Sequence, residues 1–111
     1  MECIFCKIIN KGLPSRIIYQ DEKILAFNDI KPKAPVHLLI IPRKHIPSID
    51  YLKKGDRELI GDLLLVARKL AKEYKVSQTG YRLIFNVGKD AGQTVNHLHL
   101  HLLGGRKLPW A

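Results

Sequence analysis

From Asn96 to Leu103 the chain reads Asn-His-Leu-His-Leu-His-Leu-Leu, so imidazole and leucine alternate over six consecutive positions, His97 to Leu102. Successive side chains leave opposite faces of a β-strand, whereas a helix would scatter the same residues around its axis. Leucines on alternate positions need a hydrophobic core, so Leu98, Leu100 and Leu102 predict a strand over 96–103 with one face turned inward. The opposite face then carries His97, His99 and His101 at intervals of about 7 Å.

The strand needs partners and a cover, and the rest of the chain supplies both. From Gly55 to about Tyr74, Leu59, Ile60, Leu63, Leu64, Ala67, Leu70, Ala71 and Tyr74 recur at three- and four-residue steps, which predicts one long amphipathic helix. Gly55 or Asp56 would cap it, with Glu58 in its first turn. Residues 3–10, Cys-Ile-Phe-Cys-Lys-Ile-Ile-Asn, predict a short helix closed by Gly12 and Pro14. Arg16–Tyr19, Ile24–Asn28, Val36–Ile41 and Tyr81–Asn86 are rich in branched or aromatic residues and bounded by Pro, Gly, Asp or Asn, so they read as strands. The expected fold is α+β: an antiparallel sheet of about five strands with one long and one short helix packed on one side.

At 111 residues this is one domain, 1–111, with a single core. No apolar run approaches the ~18 residues that span a bilayer, and residues 1–3 do not start a leader pattern, so a soluble cytoplasmic protein is expected. Nineteen Lys and Arg against ten Asp and Glu give a net charge of +9, which favours an anionic ligand. The basic residues are scattered and not interleaved with aromatics, which argues against a nucleic-acid groove.

Three histidines on one face admit three readings: a His-x-His metal chelate, a catalytic face, or the solvated side of an ordinary strand. The preceding loop, 87–94, carries Gly88, Gly92, Gln93 and Thr94, whose backbone N–H groups, amide and hydroxyl suit phosphate oxygens. No carboxylate lies in 91–111, so an imidazole–carboxylate metal centre has no acidic ligand nearby in sequence. The loop favours phosphate chemistry.

The run "GQTVNHLHLHLLGGRKLPW" resembles the signature of the histidine triad family, His-φ-His-φ-His-φ-φ with φ apolar, and its nucleotide-binding branch in particular. "CIFCKII", "ILAFNDIKPKAPVHLLIIPRKHI" and "GYRLIFNVG" are similar to family segments in the family's order, so the likeness covers nearly the whole chain. The resemblance implies that His99 attacks the α-phosphorus of a nucleotide and that a nucleotidyl-imidazole intermediate is then hydrolysed. It places His101 and His37 beside the phosphate oxygens, although His37 would also fit an ordinary strand position. It sets Thr94 at the scissile bridge, where the family commonly has Ser.

Asn86, Gly92 and Gln93 would complete the phosphate cradle. "FNDI" is similar to the nucleoside pocket, with Asp29 on the ribose hydroxyls and Asn28 where the family more often has His. Phe5, Ile8, Phe27 and Ile30 would hold a purine; as apolar residues at such spacings they also fit plain core packing. Trp110, near the end, would reach a partner's active site in the homodimer that the family implies.

Cys3-Ile4-Phe5-Cys6 has zinc-ligand spacing but supplies half a site. With His37, His99 and His101 assigned to phosphate, His45 and His97 remain, and a Cys3, Cys6, His45, His97 set resembles the structural zinc site of many microbial family members. Two free buried thiols are the alternative. Four protein ligands would close the site, so no catalytic metal is expected. The implied function is hydrolysis of purine nucleoside phosphoramidates or related nucleoside monophosphate conjugates. Dinucleoside polyphosphate hydrolysis, or nucleotide binding as an adaptor with little turnover, are the alternatives.

Overall fold

The computed structural model describes residues 3–110. Helix α1 (Ile4–Ile9) is followed by strands β1 (Ile17–Gln20), β2 (Ile24–Asn28) and β3 (Val36–Pro42). Helix α2 (Arg57–Glu73), β4 (Tyr81–Phe85) and β5 (Leu100–Gly104) complete the chain. All pairings are antiparallel in the order β1-β2-β3-β5-β4, so the α+β architecture is as expected, with β5 inserted between β3 and β4.

The β1–β2 turn is closed by Asp21, whose Oδ1 accepts from the backbone N–H of Lys23 at 2.7 Å and of Ile24 at 2.8 Å. Helix α2 buries Leu63, Val66, Ala67, Leu70 and Ala71 against Ile24, Ala26, Leu38, Ile40, Leu98, Leu100 and Leu102. Each of the leucine, isoleucine and valine side chains among them contributes roughly 1.5–3 kcal/mol on leaving water. Leu64, expected in that stripe, is exposed, and Val66 takes the inward position. Asp56 stands at the N-cap but turns its carboxylate to the Lys53 N–H (2.9 Å) and the Lys44 ammonium (3.0 Å).

Two expectations are corrected. The helices do not share a side: alternate residues Leu25, Phe27, Leu39 and Ile41 face away from α2 and pack against Cys3, Phe5 and Ile8 of the α1 segment. The near-continuous apolar runs of β2 and β3 are buried on both faces for this reason. The histidine strand is also shorter than 96–103. Pairing begins at Leu100, because the Leu98 N–H donates to the Ile46 carbonyl at 2.6 Å and the His97 ring to the Pro42 carbonyl at 2.8 Å, outside the ladder. The alternation of faces nevertheless persists, with Leu98, Leu100 and Leu102 in the α2 core. Among the described residues no helix is long and apolar enough to cross a membrane.

Candidate active site and metal centre

His101 lies opposite Leu39 of β3, and His37, two residues earlier on β3, is its diagonal neighbour on the same face. The register brings His37 Nε2 within 2.9 Å of His101 Nδ1, and the His99 and His101 rings lie 4.9 Å apart. Asp29, just beyond β2, sets Oδ2 3.4 Å from His37 Nε2 while its Oδ1 accepts from the Lys31 N–H at 2.8 Å.

The partners assign the tautomers. His99 Nδ1 is 2.7 Å from the His97 carbonyl, which only accepts, so Nδ1 carries the proton and Nε2 keeps its lone pair. His37 Nδ1 accepts from the Lys33 N–H at 3.0 Å, so its proton sits on Nε2, facing His101 Nδ1. His101 therefore accepts at Nδ1 and carries its own proton on Nε2. Burial lowers the pKa of all three rings. For His37 the Asp29 carboxylate opposes the effect and Lys33 adds to it. For His99 the His97 carbonyl and Asp29 oppose it. His101 is pushed down to about 4, with His99 and His37 adding to burial and Asp29 opposing.

A cavity of about 510 Å³ opens over these groups. Phe5, Ile8, Phe27, Asn28, Asp29, Ile30, Thr94, His99 and His101 all line it, which brings together most of the residues singled out in the sequence. Phe5 stands edge-on to Phe27 and to His99, at 5.5 and 5.1 Å between ring centroids. Ile30 lines the cavity and is 86% exposed. Asn28 Nδ2 is buried without a hydrogen-bond partner among the described residues.

Three expected contacts are engaged elsewhere. Gln93 spends its amide on the Pro47 and Val95 carbonyls (2.7 and 3.0 Å), and its Oε1 on the Gly88 N–H (2.9 Å). The Gly92 N–H donates to the Lys89 carbonyl at 3.0 Å, and Asn86 Nδ2 to the Ala91 carbonyl at 2.8 Å. These three residues shape the loop after β4, where Gly88 and Gly92 both hold φ at +84°, rather than line the cavity. Trp110 is 94% exposed and does not line the cavity. Lys31, missed in the sequence, does line it, and the Arg106 guanidinium reaches the Lys33 carbonyl at 3.0 Å.

Behind Phe5 lies a second cluster. Cys3 Sγ is 3.5 Å from His97 Nδ1, and Cys6 Sγ is 3.3 Å from His45 Nδ1 and 3.6 Å from His97 Nδ1. The two Nδ1 atoms are 3.2 Å apart. A tetrahedral zinc with bonds of about 2.05 Å to nitrogen and 2.3 Å to sulfur requires N···N edges of about 3.4 Å and N···S edges of about 3.5 Å. The His97 Nε2–H, held by the Pro42 carbonyl at 2.8 Å, leaves Nδ1 bare toward the thiols, the usual support of a metal-binding imidazole. The donor set therefore fits zinc. Asp29, His37 and His101 are also close enough together to hold an ion. There, however, the Lys33 N–H on His37 Nδ1 keeps a proton, not a lone pair, on the Nε2 that would have to bind it.

His99 and His101 thus offer a bare ring nitrogen and a ring N–H beside one largely apolar cavity, a pair chemically able to act on a phosphate group. Residues 2–108 match the family model described as "Scavenger mRNA decapping enzyme C-term binding". A HIT-like protein of Buchnera aphidicola subsp. Acyrthosiphon pisum is 50% identical over 105 residues, 95% of this chain and 92% of the relative. Among solved structures, a HIT family hydrolase from Legionella pneumophila Philadelphia 1 has 50% identity and TM-score 0.96, over 98% of this chain and 97% of that one. A histidine triad nucleotide-binding protein from Candida albicans has 34% identity and TM-score 0.85, over 99% and 83%. The chain belongs to the histidine triad family, and its α+β fold is that of its solved relatives.

Proposed function

We propose that the protein is a nucleotide hydrolase that cleaves purine nucleoside phosphoramidates, or related nucleoside monophosphate conjugates, through His99. One observation carries the reading: His99 turns a lone pair and His101 an N–H into the same cavity, so nucleophile and oxyanion donor stand side by side. Phe5, Ile8, Phe27 and Ile30 enclose the base. Asp29 and Asn28 Nδ2, which has no hydrogen-bond partner among the described residues, meet the sugar, the first as acceptor and the second as donor.

His99 Nε2 then bonds to phosphorus as the P–N bond breaks, and the leaving amine takes a proton relayed from solvent by the exposed Thr94 hydroxyl. The His97 carbonyl steadies the charge that the His99 ring acquires, and His101 Nε2–H and His37 behind it balance the phosphate oxygens. Water adds to phosphorus, the His99–P bond breaks, a proton returns to solvent and the nucleoside monophosphate leaves.

Cys3, Cys6, His45 and His97 would hold a structural zinc that ties the α1 segment to the chain just after β3 and to the chain before β5. A homodimer in the cytoplasm, with Trp110 near the partner's site, completes the reading. Cleavage of dinucleoside polyphosphates is favoured by Lys31 at the cavity and by Lys33, whose charge acts on His37. A panel of adenosine phosphoramidates and diadenosine polyphosphates, assayed for AMP release with wild type and His99→Ala, decides. Failure of the wild type on both classes, or equal rates in the variant, overturns the hydrolase and leaves a binding protein.

A further inference from the structure

We propose that the metal cluster and the nucleotide cavity form one thermodynamic unit, joined through α1 and His97, so that filling either site tightens the other. The inference rests on the zinc assignment above. Helix α1 has six residues, too few to persist in water on propagation energy alone. Its segment supplies two groups to the cluster, Cys3 and Cys6, and three to the cavity wall, Ile4, Phe5 and Ile8.

The Phe5 ring stands between the sites, 5.8 Å from the His97 ring and 5.1 Å from the His99 ring, edge-on to both. His97 spans the same boundary. Its Nδ1 faces the thiols, and its backbone carbonyl, 2.7 Å from His99 Nδ1, sets the direction of the ring that faces phosphorus. An ion that fixes Cys3, Cys6 and His97 fixes the wall and the carbonyl together, and a base stacked on Phe5 fixes the same helix from the other side. Each ligand thus meets part of the ordering cost of the other, and by linkage the two effects are equal. His97 acts on the nucleotide site as a positioning residue, through His99, whereas Phe5 meets the base directly and is tied to the thiols through α1.

The test uses full-length, tag-free protein loaded with zinc, a chelator of known affinity as competitor, and AMP. Zinc affinity should rise on the order of tenfold when AMP saturates the cavity. AMP affinity, measured by calorimetry, should rise by the same factor between metal-stripped and zinc-loaded protein. If the stripped chain loses its fold, the chelator measurement alone decides. Phe5→Leu keeps all four ligands and should retain one zinc while both factors fall toward one; Ile8→Val serves if that variant does not fold. Zinc affinity indifferent to AMP overturns the linkage and leaves the zinc centre standing. A protein that binds no zinc overturns the centre and the linkage with it.

Discussion

Acid should unfold this protein partly through His101. Its native pKa of about 4 lies below the ordinary 6.5, mainly because the ring is buried and secondarily because it adjoins His99 and His37. A base with a lowered native pKa binds fewer protons folded than unfolded, so its contribution is intact above about pH 6.5 and is lost as the pH falls toward 4. Between pH 7 and pH 5, these two pKa values give a loss of about 2 kcal/mol, at 1.36 kcal/mol per unit. Solvent reaching the half-buried ring screens part of this, and about 1–2 kcal/mol is expected.

Urea unfolding of wild type and His101→Gln at both pH values isolates the effect, because every other acid-labile group, including the Cys/His cluster, contributes to both proteins. The variant should lose less stability on acidification by that amount, and NMR titration of the wild type should find His101 neutral at pH 5. Equal losses in the two proteins, or a His101 pKa near 6.5, would refute the assigned proton arrangement.

Three further outcomes follow from named contacts. Asn28→Ala removes a buried donor that lacks a partner among the described residues, so AMP affinity should fall roughly tenfold, about 1–2 kcal/mol, while thermal stability holds or rises; calorimetry that finds affinity unchanged excludes a sugar contact. Protein purified without a histidine tag should carry near one equivalent of zinc by metal analysis and Cys3→Ser should carry none; zinc retained in the variant would place the ion elsewhere. Gly105 holds φ at +95° with Pro35 Cβ 2.9 Å from where a Cβ would stand, so Gly105→Ala should cost about 1–3 kcal/mol in urea unfolding, and a neutral result would show that the 29–35 loop yields freely.

Much of this was legible because period and spacing are local properties. The alternation at 97–102 gave the faces correctly, and the three- and four-residue steps of 59–71 found the long helix. What was missed depended on contacts between distant segments. Nothing in "NHLHLH" reveals that Leu98 bonds to Ile46 rather than to a ladder partner, which delays β5 to Leu100. The doubly buried β2 and β3 were visible as unbroken apolar runs, and they could have shown that α1 covers the face opposite α2.

At the site, residue types pointed to the cavity but not to their engagements. Gln93 looked like a phosphate donor, yet its amide is taken by two carbonyls. The opposed tautomers of His99 and His101 depend on a carbonyl two residues back and on an N–H in the 29–35 loop, and only the fold brings these together.

The most direct measurement is capture of the covalent intermediate. Wild-type protein mixed with an adenosine phosphoramidate, quenched within one turnover and digested, should yield a peptide carrying one adenylyl group on His99, and His99→Ala should yield none. Hydrolysis that proceeds with no adduct on any histidine, or with the adduct on His101 or His37, would contradict the assignment of His99 as the nucleophile.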